Sequence, residues 1–202
     1  MILGLTGGIA SGKTTVAQIL VDLGAQLVEA DDVGRQVVEP GTIGLERVVE
    51  AFGPEVLTPS GSLNRKLVGR LVFQDSAKLQ LLNSILHPLM EEEMRRQLVL
   101  LEPQGPVVLS AAILFEAGWD KLVDKVLLVW LDPETQLSRL MERDNLTREE
   151  AEARIQAQMP LESKIALADY IIDNSKPLFE VRRQVEKIWR EINEEDCTHR
   201  SR

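Results

Sequence analysis

Short apolar runs alternate with amphipathic stretches at both ends of the chain, but not in its middle. Ile2 to Thr6 has the pattern of a buried strand, and Lys13 to Leu23 follows with Val16, Ala17, Ile19 and Leu20 at helical spacing, closed by Gly24 as a C-cap. Ala25 to Ala30 is strand-like again. This β-loop-α-β order sets two strands parallel in one sheet, because the crossover helix returns the chain to the same end. Pro106 to Ala112 and Lys125 to Leu131 are short, apolar and β-branched, as parallel strands covered on both faces are, with a loop and short helix between them. Ala168 to Ile172 predicts a last strand, and Leu178 to Ile192 a final helix with Val181, Val185, Ile188 and Ile192 on one face.

Between the second and third runs the pattern predicts helices only: Val33 to Val38, Ile43 to Ala51, Asn64 to Phe73, Ala77 to Leu86 and Pro88 to Leu101, with His87-Pro88 as a junction. Turn formers crowd Phe52 to Leu63. This region reads as a helical insertion in an α/β core. Beyond Leu131, Asp132-Pro133 supplies an N-cap and a proline at the first helical position, and Thr147 to Glu150 has the capping-box form. The second of these helices is expected to reach about Gln158, with Pro160 ending it. No period repeats, so solenoids drop out.

Composition narrows the picture. The 202 residues are 44% hydrophobic and 27% charged, enough for one substantial core with an appended subdomain. A net charge of −9 disfavours nucleic acid and anionic membranes as partners. The single cysteine, Cys197, excludes an internal disulfide framework and reads as a solvated tail thiol. The N-terminus lacks the pattern of a secretory signal, and Val126 to Leu131, the longest later apolar run, is far too short for a membrane span. A soluble cytoplasmic protein is expected. Its oligomeric state is open, with a monomer favoured.

Candidate chemistry concentrates at the first turn. Gly7 to Thr14 (GGIASGKT) matches G-x-x-x-x-G-K-[ST], placed after a strand and opening a helix. Glycines let successive N–H groups turn inward, and the helix adds its positive end, so a triphosphate fits. Lys13 reaches the β and γ phosphates, and the Thr14 hydroxyl is placed to ligate Mg²⁺. Asp31 and Asp32 follow the second strand, whose end faces the same crevice. One is expected to face the nucleotide and the other to cap the helix near Val33; Asp31 is favoured as acceptor of a hydroxyl proton, against the reading in which both only cap. Arg139 and Arg143, four apart on one helix face, suit either a lid over the phosphates or a solvated salt-bridging face. His87 is either a helix junction or a ligand-facing group, and Arg65 either a solvated charge or a contact for a second anion.

The stretches LTGGIASGKTTVA, EADDVGRQVVEPG, LNRKLVGRLVF, LLNSILHPLM, AILFE, VWLDPETQLSRLMERDNLT and AQMPLESKIALADYIIDNS together resemble, in order and spacing, the dephospho-CoA kinase family over about residues 2 to 175. The resemblance implies a P-loop NTPase fold, a central parallel sheet flanked by helices, with an inserted helical substrate domain and a helical lid. The nucleotide-binding core would be residues 1–31, 105–135 and 166–195, the CoA-binding insertion about 32–104, the lid about 136–165, and 196–202 a flexible tail. It implies ATP-dependent phosphorylation of the ribose 3′-hydroxyl of dephospho-CoA, the last step of coenzyme A synthesis. ATP would be held by Gly8, Ala10, Ser11, Gly12, Lys13, Thr14, Thr15 and Asn174, with Mg²⁺ on Thr14. Catalysis would fall to Asp31, Lys13, Arg139 and Arg143, while Asp31, Arg65 and His87 would meet the acceptor. Three positions depart from the family pattern. Glu29 stands where Asp-Ala-Asp usually starts, Ala10 replaces a common loop glycine, and Ser110-Ala111-Ala112 lies where an aspartate often ends the third strand. Metal ligation would then rest on Thr14, phosphate oxygens and water, with Asp31 as a further candidate. A nucleoside or nucleoside-monophosphate kinase and a nucleotide-switched protein-binding module are the alternatives.

Overall fold

A computed structural model describes residues 1–73 and 75–200, the side chains of Phe73 and of residues 195–200 excepted. The chain divides into two compact units, one of Met1–Val28 with Leu98–Arg202 and one of Glu29–Gln97.

The first unit holds the sheet. Its strands are β1 (Ile2–Gly7), β2 (Gln26–Glu29, whose last residue begins the second unit), β3 (Val107–Ser110), β4 (Lys125–Trp130) and β5 (Tyr170–Asp173), in the order β2-β3-β1-β4-β5. Pairing is parallel between β1 and β3, β1 and β4, and β4 and β5. Val126, Leu127, Leu128 and Val129 are all buried, as an unbroken apolar strand must be when helices cover both faces. Helices α1 (Lys13–Asp22) and α9 (Leu178–Arg200) pack together on one face, where Val16, Ile19 and Leu20 meet Val181, Val185, Trp189 and Ile192 over Leu3, Leu5 and Leu127. The register brings Leu5 beside Ser110, Gly7 beside Val129 and Trp130 beside Asp173. The carboxyl ends of four strands therefore converge on one edge.

Three further helices belong to this unit: α6 (Pro133–Asp144), α7 (Arg148–Gln156) and α8 (Leu161–Leu167). Asp132 caps α6 by accepting from Thr135 N at 2.9 Å, and Thr147 and Glu150 form the reciprocal capping box of α7, as the residue order predicts. Helix α8 was absent from the expected elements. Pro160 does follow the end of α7, but its fixed φ also suits the entry to a new helix, and its carbonyl accepts from Ser163 N and Lys164 N.

The second unit is helical: α2 (Ala30–Gln36), α3 (Ile43–Phe52), α4 (Arg65–Phe73) and most of α5 (Ser76–Leu101). Val38, Val48, Val56, Val68 and Val72 form its core, with Leu82, Ile85 and Leu86 packed against them. The turn-rich Phe52 to Leu63 stretch carries a short 3₁₀ turn, Pro54–Val56, and a single antiparallel bridge between Leu57 and Leu63.

Three expectations are corrected here. Pro88 lies inside one continuous helix, and so His87-Pro88 is no junction. The proline removes one backbone bond at a cost of about 3 kcal/mol, which the packing of Leu82, Ile85 and Leu86 before it and fully buried Met94 after it outweighs. Helix α2 begins at Ala30 with Glu29 in the N-cap position and no side-chain cap, so neither Asp31 nor Asp32 caps it; both lie in its first turn, and Asp32 pairs with Arg35. Helix α9 continues to Arg200, past the expected end at Ile192 and through most of the stretch expected as a tail. Ser201, Arg202 and the Cys197 side chain lie outside the described residues.

Leu128→Ala in the fully buried middle of β4 is expected to cost about 2–5 kcal/mol. Urea unfolding should show a lowered midpoint at unchanged slope.

Candidate active site

The turn after β1 is built from backbone. Ser11 N donates to Gly8 O at 3.1 Å and Thr15 N to Gly12 O at 3.0 Å, which closes the loop onto the start of α1. Gly12 is the N-cap residue, in the left-handed region with φ 86° and ψ 22°, and a side chain there would also collide with Asn174. No side chain caps α1 and its first turn holds no acidic residue. The positive end of the helix is therefore not offset by a carboxylate of its own first turn. Ala10 also lies at positive φ, 59°, a conformation that costs a residue with a Cβ about 1–2 kcal/mol. Its departure from the usual glycine is thus paid for in backbone strain.

Lys13 Nζ donates to Ser110 Oγ at 2.7 Å. Ser110, the residue that stands in place of a strand-end carboxylate, is buried at the end of β3, beside Leu5 of β1. Thr14 and Thr15 are exposed at the start of α1. Asn174, just past β5 and buried, donates from Nδ2 to Ser11 O at 2.6 Å, while its own backbone N–H reaches Trp130 O. It holds the loop from behind.

The two arginines of α6 part company. Arg139 is exposed, with a guanidinium nitrogen 3.8 Å from where a Cβ on Gly12 would stand, so it lies against the phosphate loop. Arg143 is held by Asp144 through two hydrogen bonds of 2.8 and 3.1 Å, and Asp144 also receives Arg154 at 2.8 Å. Those hydrogen bonds raise the pKa of Arg143 and lower that of Asp144.

Gly8, Ala10, Ser11, Gly12, Lys13, Thr14, Thr15, Asn174, Arg139 and Arg143 all belong to the first unit, whereas Asp31, Arg65 and His87 belong to the second. Asp31 is exposed on the first turn of α2, where the chain leaves the carboxyl end of β2. Arg65 opens α4 and donates to Arg35 O at 3.3 Å. His87 is half-buried in α5, and burial lowers its pKa below the usual imidazole value.

Two residues to which the sequence assigns no functional role also hold the loop. Gln136 Nε2 donates to Ile9 O at 2.8 Å, and Gln158 Oε1 accepts from Ile9 N at 2.7 Å. Gln136 carried a faint signal, a polar residue beside Leu137 on the buried side of α6. Gln158 carried none. Among the described residues no three His, Cys, Asp or Glu side chains are grouped as a metal site, and no helix is long and apolar enough to cross a membrane.

A parallel sheet in this strand order, with a glycine loop and a lysine-led helix at its carboxyl edge, defines the P-loop NTPase fold; a shikimate kinase from Bacteroides thetaiotaomicron shares the fold with a TM-score of 0.54 at 14% identity, over 96% of this chain and 98% of that one. Residues 1–180 match the family model described as dephospho-CoA kinase. The chain belongs to that family. A dephospho-CoA kinase from Symbiobacterium thermophilum is 47% identical over 94% of this chain and 80% of its own length. The solved structure of dephospho-CoA kinase from Campylobacter jejuni has a TM-score of 0.74 at 27% identity, covering 96% of this chain and 98% of that one.

Ala10→Gly should relieve the positive-φ strain in the loop. A gain in unfolding free energy of about 0.5–1 kcal/mol is expected. Urea denaturation of the two proteins side by side checks the sign.

Proposed function

We propose that the protein transfers the γ-phosphoryl group of ATP to the ribose 3′-hydroxyl of dephospho-CoA, giving coenzyme A and ADP. The reading rests on the lysine-led phosphate loop lying within a family match that spans residues 1–180. The hydroxyl oxygen forms a bond to the γ phosphorus as the bond to the β-γ bridging oxygen breaks, and the hydroxyl proton passes to the Asp31 carboxylate. Gly8, Ala10, Ser11, Gly12, Thr14 and Thr15 form the seat of the phosphates, held in shape by Asn174. Lys13 and Arg139 neutralise the spreading negative charge, and Arg143 joins them after exchanging Asp144 for phosphate. Arg65 and His87 meet the CoA moiety.

A magnesium ion fits the oxygen donors present. The Thr14 hydroxyl is exposed at the helix start, and magnesium, which keeps several waters and leans on phosphate oxygens, needs few ligands from the protein. Thr14 would hold it, and it would supply charge neutralisation to the phosphates.

Coupled detection of ADP with dephospho-CoA, AMP, CMP and uridine as acceptors tests the assignment. Turnover is expected with dephospho-CoA alone, and equal turnover with AMP or uridine contradicts it. Asp31→Asn should lower turnover roughly 10²–10⁴-fold while ATP affinity stays nearly unchanged, since the proton is accepted only as the hydroxyl attacks. Unchanged turnover removes Asp31 from the chemistry. Lys13→Ala should weaken both ATP binding and rate.

A further inference from the structure

In the phosphate loop, Ile9 has both its backbone N–H and its C=O bound by side chains, from α6 and from the turn after α7. Gln158, just past α7, accepts from the N–H at 2.7 Å, and Gln136, in the first turn of α6, donates to the carbonyl at 2.8 Å. From this geometry we infer that Gln136 and Gln158 are positioning residues for the nucleotide's phosphates, acting through the Ile9 peptide groups. The inference rests on the ATP-binding reading above and adds the residues that set the shape of its cradle.

Four observations support it. Gly8 has no side chain where the Gln136 amide lies, and a Cβ there would collide with Nε2, so the loop sequence is fitted to the clamp. Gln136 is buried, so its amide has little water to turn to. Ala10, next along the chain, sits at positive φ, a strained state that persists only where its surroundings over-determine it. The side chains of Ile9 and Ala10 also pack against Leu137, Leu140 and Ala151 of α6 and α7. Apolar contact fixes where the loop lies, and the two amides fix which way its peptide groups point. Since the neighbouring N–H groups are what a phosphate meets, turning the Ile9 peptides would spoil the seat without touching the ligand.

The amide orientations follow from chemistry. A backbone N–H only donates and a carbonyl only accepts, so Gln158 must present oxygen and Gln136 nitrogen. Glutamate can therefore replace Gln158 and keep its bond, whereas glutamate at 136 sets a carboxylate against a carbonyl. Both variants bring the same charge near the phosphates, and methionine is a similar-sized residue without the bond.

The test is the ATP dissociation constant, by titration calorimetry, of Gln136→Met, Gln136→Glu, Gln158→Met and Gln158→Glu, with melting temperatures and the KM for dephospho-CoA alongside. Each methionine variant should weaken ATP about 10-fold, the factor for stranding one partly buried peptide group. The KM for dephospho-CoA should stay within about 2-fold. Q158E should bind ATP more tightly than Q158M, and Q136E more weakly than Q136M. Methionine variants that keep native ATP affinity overturn the inference, as does a glutamate effect of the same sign at both positions, which is what mere helix packing would give. Turnover of dephospho-CoA by the unsubstituted protein tests the function separately, because the clamp is read from ATP binding alone.

Discussion

A phosphate site made of backbone must satisfy the peptide groups it does not offer to the ligand. The loop between β1 and α1 has little side chain of its own with which to do so. Its outward-facing groups are held instead by three amide side chains distant in the chain: Gln136, Gln158 and Asn174 reach Ile9 and Ser11 across separations of 127, 149 and 163 residues. Glycine gives the loop freedom to adopt its shape, and these bonds remove that freedom again. Each is modest in net worth, yet each stranded partner would cost about 1–3 kcal/mol, so the loop and its supports stand or fall together.

The support for Gln158 continues outward. Met159 N donates to Glu116 at 3.0 Å, and Glu116 also receives Lys164 Nζ at 2.8 Å. Lys164 is 1% exposed, and it donates to Ala112 O as well, at 2.8 Å. A buried ammonium is tolerable only when paired and hydrogen-bonded, and here both conditions are met. The pair ties α8 and the end of α7 to the stretch that follows β3, whose last residue, Ser110, meets Lys13. Two polar contacts thus lie two residues apart on this stretch, Lys164 on the Ala112 carbonyl and Lys13 on the Ser110 hydroxyl.

Much of this was legible in the sequence because it is local. The strands β1 and β4 announce themselves as apolar runs, the Asp132 and Thr147 caps follow from residue order, and the phosphate loop is a property of eight consecutive residues. What escaped reading depends on tertiary context. Pro88 carries a strong local breaking signal, but the hydrophobic packing on either side of it holds α5 in one piece. Asp31 and Asp32 look like caps, and the helix begins one residue before Asp31. Gln158 is an unremarkable polar residue before a Met-Pro pair until the fold brings Ile9 to it. The match to a known family was carried by the order of many short stretches, each weak alone apart from the loop.

The most direct measurement is a crystal structure with a non-hydrolysable ATP analogue bound. Phosphate oxygens should lie within hydrogen-bonding distance of the Gly12, Lys13 and Thr14 N–H groups and of Lys13 Nζ, with Ile9 still held between Gln136 and Gln158. Phosphates seated away from the loop, or an Ile9 peptide turned free of both glutamines while the nucleotide is bound, would contradict it.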